Sequence, residues 1–554
     1  MKKPLSIACA LLLLAAQAPA ATYNVTNTLD DGSTGSLRYA VGQSTPSTSP
    51  SPNTISWGAG SGGTITLATD LTSLKDGTTL DVSSAPAAVT IAGSTITLGG
   101  GITFFNGSST QPWTVSSDIA GSGNLVKAGS GTLVLSGANT YTGGTTLNAG
   151  AVSISSDGAL GGSGGTFTVN VGTLSTTGGI VSQRTFVING PFQFSTNGHD
   201  SSLAGSIIGG GSMTVTGGGT LTLTGSDSFS GGLYVTASTV NVSGTGTFGS
   251  GTVTLDSGVF QSGASFSASN AVYISTGGGT FDVQGASSMT LTGVISGTGA
   301  LTKTSTGLLV LTGANTYTGG TFVKAGLLQV PADSALGDAS GSVTLDSGTL
   351  QWGADFSSAR SFTLGAKGGV FDTNGFDGTL SGALSGGALT KTGLGTLTLT
   401  RAGGGWGDTT VSGGTLAMGA DGVLPIATNL IVGDGATMDF GATRQNVGTY
   451  NSLGGHSGTL RMTLTPGTTN LVASGNVVLT NTSLVVKPAN ALVKVGDTFT
   501  PITGTISATL SSVTGPAALS FTPTYSASSV TLTVGFVPFA NTAQGGNQAA
   551  VAAA

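Results

Sequence analysis

Polar and apolar residues alternate along most of this chain in short runs. In residues 220–224, for example, Leu221 and Leu223 alternate with three threonines. A period of two residues is typical of strands that bury one face. Gly, Asn, Asp and Ser separate the runs, which predicts many strands of about 3–6 residues each. Helical periodicity is almost absent after the first twenty residues, so the pattern predicts an all-β protein.

One strand phrase returns at a fixed interval of 88 residues. It reads Thr-Leu-Val-Leu at 132–135 and recurs as Thr-Leu-Thr-Leu or Leu-Leu-Val-Leu in three later places. We call its second residue in each copy an anchor leucine. The anchor leucines are Leu133, Leu221, Leu309 and Leu397. Self-similarity at a fixed period indicates stacked units that bury their apolar faces against their neighbours.

The length of the repeat selects among stacked folds. A period of 88 residues is too long for one propeller blade of roughly 40–50 residues. It divides into about four coils of roughly 22 residues, a length that suits a β-helix, in which stacking covers the strand edges. We therefore predict a right-handed parallel β-helix, a solenoid, over residues 21–536. The anchor leucines should all point inward, on one side and in register.

Composition narrows the range of functions. Only 7% of the 554 residues are charged, and 96 are glycine. Disorder usually needs low hydrophobicity and high net charge, whereas this chain has 38% hydrophobic residues and a net charge of −6. An isoelectric point near 4.7 with so few Lys and Arg argues against nucleic-acid binding, which needs basic clusters.

The first twenty residues have the layout of a secretory signal peptide. A basic Met1-Lys2-Lys3 precedes an apolar stretch from residue 5 to residue 16, and Ala18-Pro19-Ala20 fits a cleavage site before Ala21. The one cysteine, Cys9, lies inside this segment. The mature chain would then lack disulfides, thiolate metal sites and cysteine nucleophiles. Two separated histidines and few clustered carboxylates further predict that it binds no metal or organic cofactor.

The strand pattern divides the mature chain into four segments. We predict opening coils over 21–115, repeat units with the 88-residue period over 116–418, and different, C-terminal coils over 419–536. Residues 537–554 lose the strand pattern and end in an alanine-rich helix former.

The repeat units resemble a known sequence family. The phrase Gly137-Ala-Asn-Thr-Tyr-Thr-Gly-Gly-Thr145 and its copy at 313–321 belong to longer stretches, 121–147 and 297–323. These stretches resemble the passenger-associated transport repeat of bacterial autotransporters. Weaker forms lie at 209–235 and 386–411. In the last of them, Arg401-Ala-Gly-Gly-Gly-Trp406 replaces the Asn-Thr-Tyr-Thr segment.

This resemblance implies a passenger of type V secretion. Such a passenger is exported by the Sec machinery and is then carried across the outer membrane of a Gram-negative bacterium by its own C-terminal barrel. The outer-membrane assembly machinery is a further partner during export, and the passenger is secreted or displayed at the cell surface. The family's C-terminal translocator barrel needs at least eight strands of about 9–11 residues. Those strands are missing from this sequence, and 537–554 resembles the start of the linker that precedes them. The outer membrane is therefore an expected partner only through a missing barrel.

Residues that could carry catalysis are few. His199 beside Asp200 could form a triad with a serine, although no serine-hydrolase phrase accompanies it. His456 lies in a glycine-rich phrase. Carbohydrate cleavage by a β-helix needs clustered Asp, for which the candidates are Asp346, Asp355, Asp372 and Asp377. Asp256 and Asp346 sit in repeated Leu-Asp-Ser-Gly phrases, so a turn role explains them better.

Two functions remain open from the sequence. The first is a non-enzymatic passenger that acts in adhesion or autoaggregation through a long face rich in hydroxyl groups, with an unidentified host or bacterial surface ligand. The second is a polysaccharide-active β-helix enzyme. A cleft lined by at least three carboxylates on adjacent coils would favour the enzyme, and a flat Thr/Ser face would favour adhesion.

Overall fold

The computed structural model describes residues 21–44, 53–58, 61–105, 112–243, 247–452, 457–489 and 493–537. The predicted signal peptide with its cleavage site at Ala20, His456 and residues 538–554 lie outside these ranges. The chain forms two compact units, the first comprising residues up to 233 with 246–250, and the second comprising 234–245 with residues from 251 onward.

Short strands dominate both units. In chain order, β1 to β30 are Thr22–Val25, Thr54–Trp57, Gly63–Leu67, Leu71–Leu74, Thr79–Asp81, Val89–Gly93, Ile96–Leu98, Ile102–Phe105, Trp113–Val115, Ile119–Gly121, Leu125–Ala128, Thr132–Leu135, Thr145–Leu147, Ala151–Ile154, Phe167–Val169, Gly172–Thr176, Val181–Ser182, Phe186–Ile188, Phe192–Ser195, Ser201–Leu203, Ile207–Ile208, Met213–Thr216, Thr220–Leu223, Ser226–Asp227, Leu233–Thr236, Thr239–Val242, Thr247–Phe248, Val253–Asp256, Gly258–Ser262 and Phe266–Ala268.

The remaining strands belong to the second unit. In chain order, β31 to β60 are Val272–Ile274, Gly279–Val283, Ser288–Leu291, Ile295–Gly297, Leu301–Thr304, Leu308–Leu311, Thr321–Val323, Leu327–Val330, Val343–Leu345, Thr349–Trp352, Phe356–Ser358, Phe362–Leu364, Gly369–Asp372, Gly378–Leu380, Leu384–Gly386, Leu389–Thr392, Thr396–Leu399, Thr409–Val411, Thr415–Met418, Asn429–Val432, Thr437–Gly441, Gln445–Val447, Thr449–Asn451, Thr459–Leu464, Leu471–Val478, Ser483–Pro488, Thr498–Ser507, Ser512–Thr514, Leu519–Tyr525 and Ser529–Phe536.

Each unit is a β-solenoid in which a strand pairs in parallel with the strand one coil later. The first unit stacks the rows β1-β2-β5-β8-β11-β13-β15-β18-β21 and β3-β6-β9-β12-β14-β16-β19-β22. The second unit stacks β26-β29-β32-β35-β37-β39-β42-β45 and, on another side, β41-β44-β47-β49-β51-β54-β56-β58. The prediction of an all-β fold of stacked parallel strands is confirmed.

Alternation along each strand builds the core. In β12, Leu133 and Leu135 are buried while Thr132 and Val134 face outward. The inward residues stack on one another from coil to coil, and all four anchor leucines are fully buried. Burial of apolar area stabilises a fold by about 25 cal/mol per Å².

The expected common side for the anchor leucines is wrong. Within the first repeat, pairing runs from Leu133 through Val152, Leu174 and Phe194 to Val215. Four coils therefore end at Val215, before the repeat itself ends. The rest of the repeat carries the chain to Leu221 on β23, which belongs to another sheet.

The third repeat has the same geometry. Pairing runs from Leu309 through Leu328, Leu350 and Phe371 to Lys391, and Leu397 follows on the next sheet. One repeat is therefore four coils plus one strand, and the average coil is shorter than one quarter of the repeat.

Two elements depart from the uniform parallel pattern. The helix α1, Leu37–Ser44, buries Leu37, Ala40 and Val41 and lies against β1 and β4 near the start of the first unit. At the other end of the chain, β60 pairs antiparallel with both β57 and β59. The expectation of parallel coils through residue 536 is therefore wrong for these last strands. Two short 3-10 helices, Asp157–Leu160 and Asp333–Leu336, occupy equivalent places in the two units.

Candidate functional site

The proposed triad does not assemble around His199. This residue lies in an exposed turn, where its backbone N–H donates to the carbonyl of Thr196 at 2.9 Å. The carboxylate of Asp200 accepts the backbone N–H of Thr220 at 2.8 Å. His199 thus closes a turn within one coil, and Asp200 links two neighbouring coils.

The candidate carboxylates are used in the same way. Asp355 accepts the backbone N–H of Asp377 at 3.0 Å, and Asp377 accepts that of Thr396 at 2.7 Å. Asp346 accepts the backbone N–H of Lys367, and Asp372 accepts that of Asn374 together with the Gln351 amide. Each aspartate holds a turn or links coils, which favours the turn interpretation. Within the described ranges, no group of three or more His, Cys, Asp or Glu is placed to hold a metal ion.

The phrase shared by the first and third repeats builds a buried polar staple. The side-chain oxygen of Asn139 accepts the N–H of Ile119 at 2.8 Å, and its amide donates to the carbonyl of Ala159 at 2.6 Å. Asn315 makes the equivalent bonds to the coils before and after it. Each asparagine therefore ties three successive coils together.

A tyrosine lies beside each of these asparagines. Tyr141 is fully buried, and its hydroxyl lies 2.6 Å from that of Thr145. Burial raises the pKa of this phenol to about 12, so it stays neutral. Gly161 on the next coil has φ +87°, and a Cβ there would lie 2.6 Å from the Tyr141 carbonyl oxygen. Only glycine fits this approach without strain. Tyr317 and Gly337 repeat the arrangement.

A buried arginine holds the loop at residues 157–165 in place. The sequence analysis did not identify this arginine. Arg184 is 2% exposed and uses all five of its N–H donors. Its partners are the Asp157 carboxylate at 3.0 Å and four backbone carbonyl groups in 157–165. Arg360 makes the same five bonds around Asp333 in the second unit. The two arginines are separated by twice the repeat length, which is a signal that the sequence did contain.

Buried lysines form a second set that sequence analysis missed. The ammonium group of Lys127 donates to the carbonyl groups of residues 128, 129 and 149. Lys303 and Lys391 occupy the same repeat position and also bridge to the next coil. Burial lowers the pKa of all three side chains to about 8. These lysines stabilise coil corners, since each ammonium satisfies carbonyl groups that would otherwise be buried without a partner.

The second and fourth repeats replace the tyrosine–threonine pair with other residues. In the second, Phe229 and Leu233 replace the tyrosine–threonine pair, so both polar partners are lost together. In the fourth, the indole N–H of Trp406 donates to the hydroxyl of Thr409 at 2.9 Å. Compensation of this kind preserves packing, because no hydroxyl of the pair is left without its partner in the core.

Asp227 takes the place of the staple asparagine in the second repeat. Its carboxyl oxygen accepts the N–H of Ile207 at 2.8 Å, as Asn139 accepts that of Ile119. Burial raises the pKa of Asp227 from 3.8 to about 7. The folded protein thus binds this proton more tightly than the unfolded chain does. The resulting stabilisation is complete below about pH 4 and is lost as the pH rises through 7.

Asp227→Asn is therefore expected to stabilise the protein at pH 8 by roughly 2–4 kcal/mol and to change little at pH 4. The asparagine makes the same bond without a charge to bury. Thermal unfolding of both proteins across this pH range measures the difference. Asp118→Asn is the matched control, because that carboxylate also accepts a backbone N–H but is exposed. Equal pH profiles for wild type and Asp227→Asn would contradict this assignment.

The outward side of the coils carries hydroxyl groups in rows. In the first unit, one row is formed by register partners on eight successive coils. The members of this row are Thr64, Thr90, Thr114, Val134, Ser153, Ser175, Ser195 and Thr216. Seven of the eight carry a hydroxyl; Ser153 is buried, and the other seven residues are at least partly exposed. We call these eight residues the hydroxyl row.

No described helix is long and apolar enough to span a membrane.

Comparisons with known proteins agree with this geometry. Residues 125–154, 213–242, 301–330 and 389–418 match the family described as passenger-associated-transport-repeat. These segments follow the 88-residue period and contain the anchor leucines. A 109-residue stretch is 44% identical to the "Adhesin BmaC autotransporter" of Brucella suis biovar 1 (strain 1330). That match covers 19% of this chain and 3% of the adhesin, so the chain spans only a small part of that relative. The chain thus carries four passenger-associated-transport repeats stacked in a parallel solenoid, which supports an autotransporter passenger.

Proposed function

We propose that this passenger acts in adhesion, including autoaggregation between cells, at the surface of a Gram-negative bacterium. Passengers of this family are secreted or displayed at the cell surface. The observation that carries the proposal is the hydroxyl row, which has no charged member and in which every residue except the buried Ser153 is at least partly exposed. Hydroxyl groups in register can exchange hydrogen bonds with a partner surface over many coils, so weak single contacts add up.

The use of the acidic residues supports a non-enzymatic role. Asp355 and Asp377 are bound to backbone N–H groups, and Asp157 and Asp333 are paired with buried arginines. A carboxylate engaged in this way holds the scaffold and is poorly placed to transfer protons to a substrate. The adhesin name of the matched relative supports the same proposal. The proposal includes export of the chain by the Sec machinery and the outer-membrane assembly machinery.

Deletion of the gene in its source bacterium tests the proposal. We expect the deletion strain to settle more slowly from suspension and to attach less to surfaces, with both properties restored by the wild-type gene. Antibodies against the repeat coils should label intact wild-type cells. Labelling that appears only after the outer membrane is permeabilised would contradict surface display. Unchanged settling and attachment in the deletion strain would contradict adhesion.

A further inference from the structure

Two exposed tyrosines of the second unit differ from the buried tyrosines of the scaffold. Tyr141, Tyr317 and Tyr450 are fully buried, and each hydroxyl lies within hydrogen-bond distance of a threonine. Tyr234 and Tyr273, in contrast, lie on strands with 41% and 42% of their surface exposed. A large aromatic side chain on an outward strand position removes little apolar area from water, so packing does not account for these two.

Both tyrosines belong to a single row. Tyr273 on β31 is the register partner of Thr254 on β28 and of Ser296 on β34. β25 lies beside β28, and the N–H of Ala237 donates to the carbonyl of Asp256, which aligns Tyr234 with Thr254. The row therefore reads Tyr234, Thr254, Tyr273 and Ser296, and we call it the tyrosine row. Two strand steps of about 4.8 Å place the tyrosines roughly 10 Å apart.

The chemistry of the tyrosine row suits a sugar chain. Aromatic rings stack on the C–H faces of sugar rings, and the intervening hydroxyls can bond to sugar hydroxyls. The row carries no charged side chain, and Asp256, two residues beyond Thr254 on the same strand, adds a negative charge beside it. A protein partner normally covers about 800 Å² on each side, far more than four side chains offer.

We propose that the tyrosine row binds an extended neutral polysaccharide, with one sugar ring stacked on each tyrosine and the intervening stretch of chain lying over Thr254. The spacing of roughly 10 Å suits sugar rings separated along an extended chain rather than adjacent rings. The nearby Asp256 disfavours polysaccharides that carry carboxylate or sulfate groups, since like charges repel. This inference rests on the proposed adhesive function and names the ligand class for it.

Affinity electrophoresis of the full chain tests the proposal directly. The gels contain neutral β-glucan, xyloglucan, galactomannan or dextran, and parallel gels contain alginate or heparin as anionic counterparts. We expect at least one neutral polysaccharide to retard the protein and the anionic ones to leave its mobility unchanged. Tyr234→Ala and Tyr273→Ala should each weaken binding roughly ten-fold, the effect of losing one stacked ring, and the double variant should abolish it.

Two controls separate stacking from other effects. Tyr234→Phe and Tyr273→Phe should each retain most of the affinity for the polysaccharide, because the aromatic ring remains. Tyr39→Ala removes a tyrosine with 37% exposure outside the row and should change nothing. Circular dichroism of each variant checks that the fold is intact.

Three results would overturn the proposal. One is that the protein binds none of the neutral polysaccharides although wild-type cells still attach to surfaces. This result would contradict the proposed ligand but not the proposed adhesive function. A second is polysaccharide binding that survives the double alanine variant. The third is self-association of the purified chain that depends on both tyrosines, which would make the row a contact between copies. Unchanged attachment of the deletion strain would instead count against adhesion itself.

Discussion

Arg184→Met is expected to lower the free energy of unfolding of the coils around it by roughly 3–5 kcal/mol. The methionine fills much of the same space but supplies no N–H group. Four carbonyl groups in 157–165 and the Asp157 carboxylate would lose their donors in a largely buried site. Stacked repeats can unfold in parts. The loss of stability should therefore be measured both by hydrogen exchange at residues 157–165 and by denaturant unfolding of the full chain.

Arg461→Met is the matched control for this variant. Arg461 also pairs with an aspartate, Asp439 at 3.3 Å, but its side chain is 51% exposed. Exposed ion pairs of this kind contribute about 0–1 kcal/mol. If Arg184→Met and Arg461→Met behaved alike, the buried arginine would not hold the loop as described.

Leu309→Ala should destabilise the second unit by roughly 2–5 kcal/mol, the range for a leucine truncated in a packed core. Leu309 is fully buried between its register partners Met289 and Leu328. The truncation leaves a cavity that neighbouring coils cannot close without moving their own strands. Denaturant unfolding of the full chain, followed by circular dichroism, measures the loss.

Leu394→Ala provides the comparison for the core variant. Leu394 is 86% exposed in the turn before β47, so its truncation should change stability by less than about 0.5 kcal/mol. A loss for Leu309→Ala as small as this would mean that the anchor leucine does not pack in a closed core.

The alternation of apolar residues predicted the strands, and the 88-residue repeat predicted that they stack. Leu221 and Leu223 are buried while Thr220 and Thr222 are half-buried on the outer side, as a two-residue period requires. The helix at 37–44 escaped notice because it is only two turns long, and its apolar spacing covers just Leu37, Ala40 and Val41. So short a pattern cannot be separated from chance in a chain this rich in alanine and glycine.

Coil length could not be obtained from the repeat length alone. Register partners in the first repeat are separated by different numbers of residues, because the corner loops differ in length. The shortest step runs from Leu133 to Val152 and the longest from Val152 to Leu174. Division of the repeat into four equal coils assumes that the repeat closes on the sheet where it began. The chain instead closes four coils at Val215 and uses the rest of the repeat to reach the next sheet.

The buried polar residues that tie the coils together were only partly predictable from the sequence. Asn139 and Tyr141 could be singled out because their phrase recurs almost unchanged at 313–321. Arg184 and Lys127 lie outside that phrase or vary between repeats, so a charged residue there looked like an ordinary surface position. Their recurrence at multiples of the repeat length was the available signal, since a charge retained at one repeat position indicates a fixed partner.

Disulfide trapping tests the coil register, on which the whole account depends. Val310 and Gln329 are outward register partners on adjacent coils. Their expected spacing of about 4.8 Å lies within the range of about 4.4–6.8 Å that a disulfide bridges. A uniform coil of one quarter of the repeat would instead pair Val310 with Ala332. We predict that mild oxidation crosslinks Val310→Cys/Gln329→Cys within one chain and leaves Val310→Cys/Ala332→Cys reduced. Crosslinking of the second pair in preference to the first would contradict the register and the four-coils-plus-one-strand repeat.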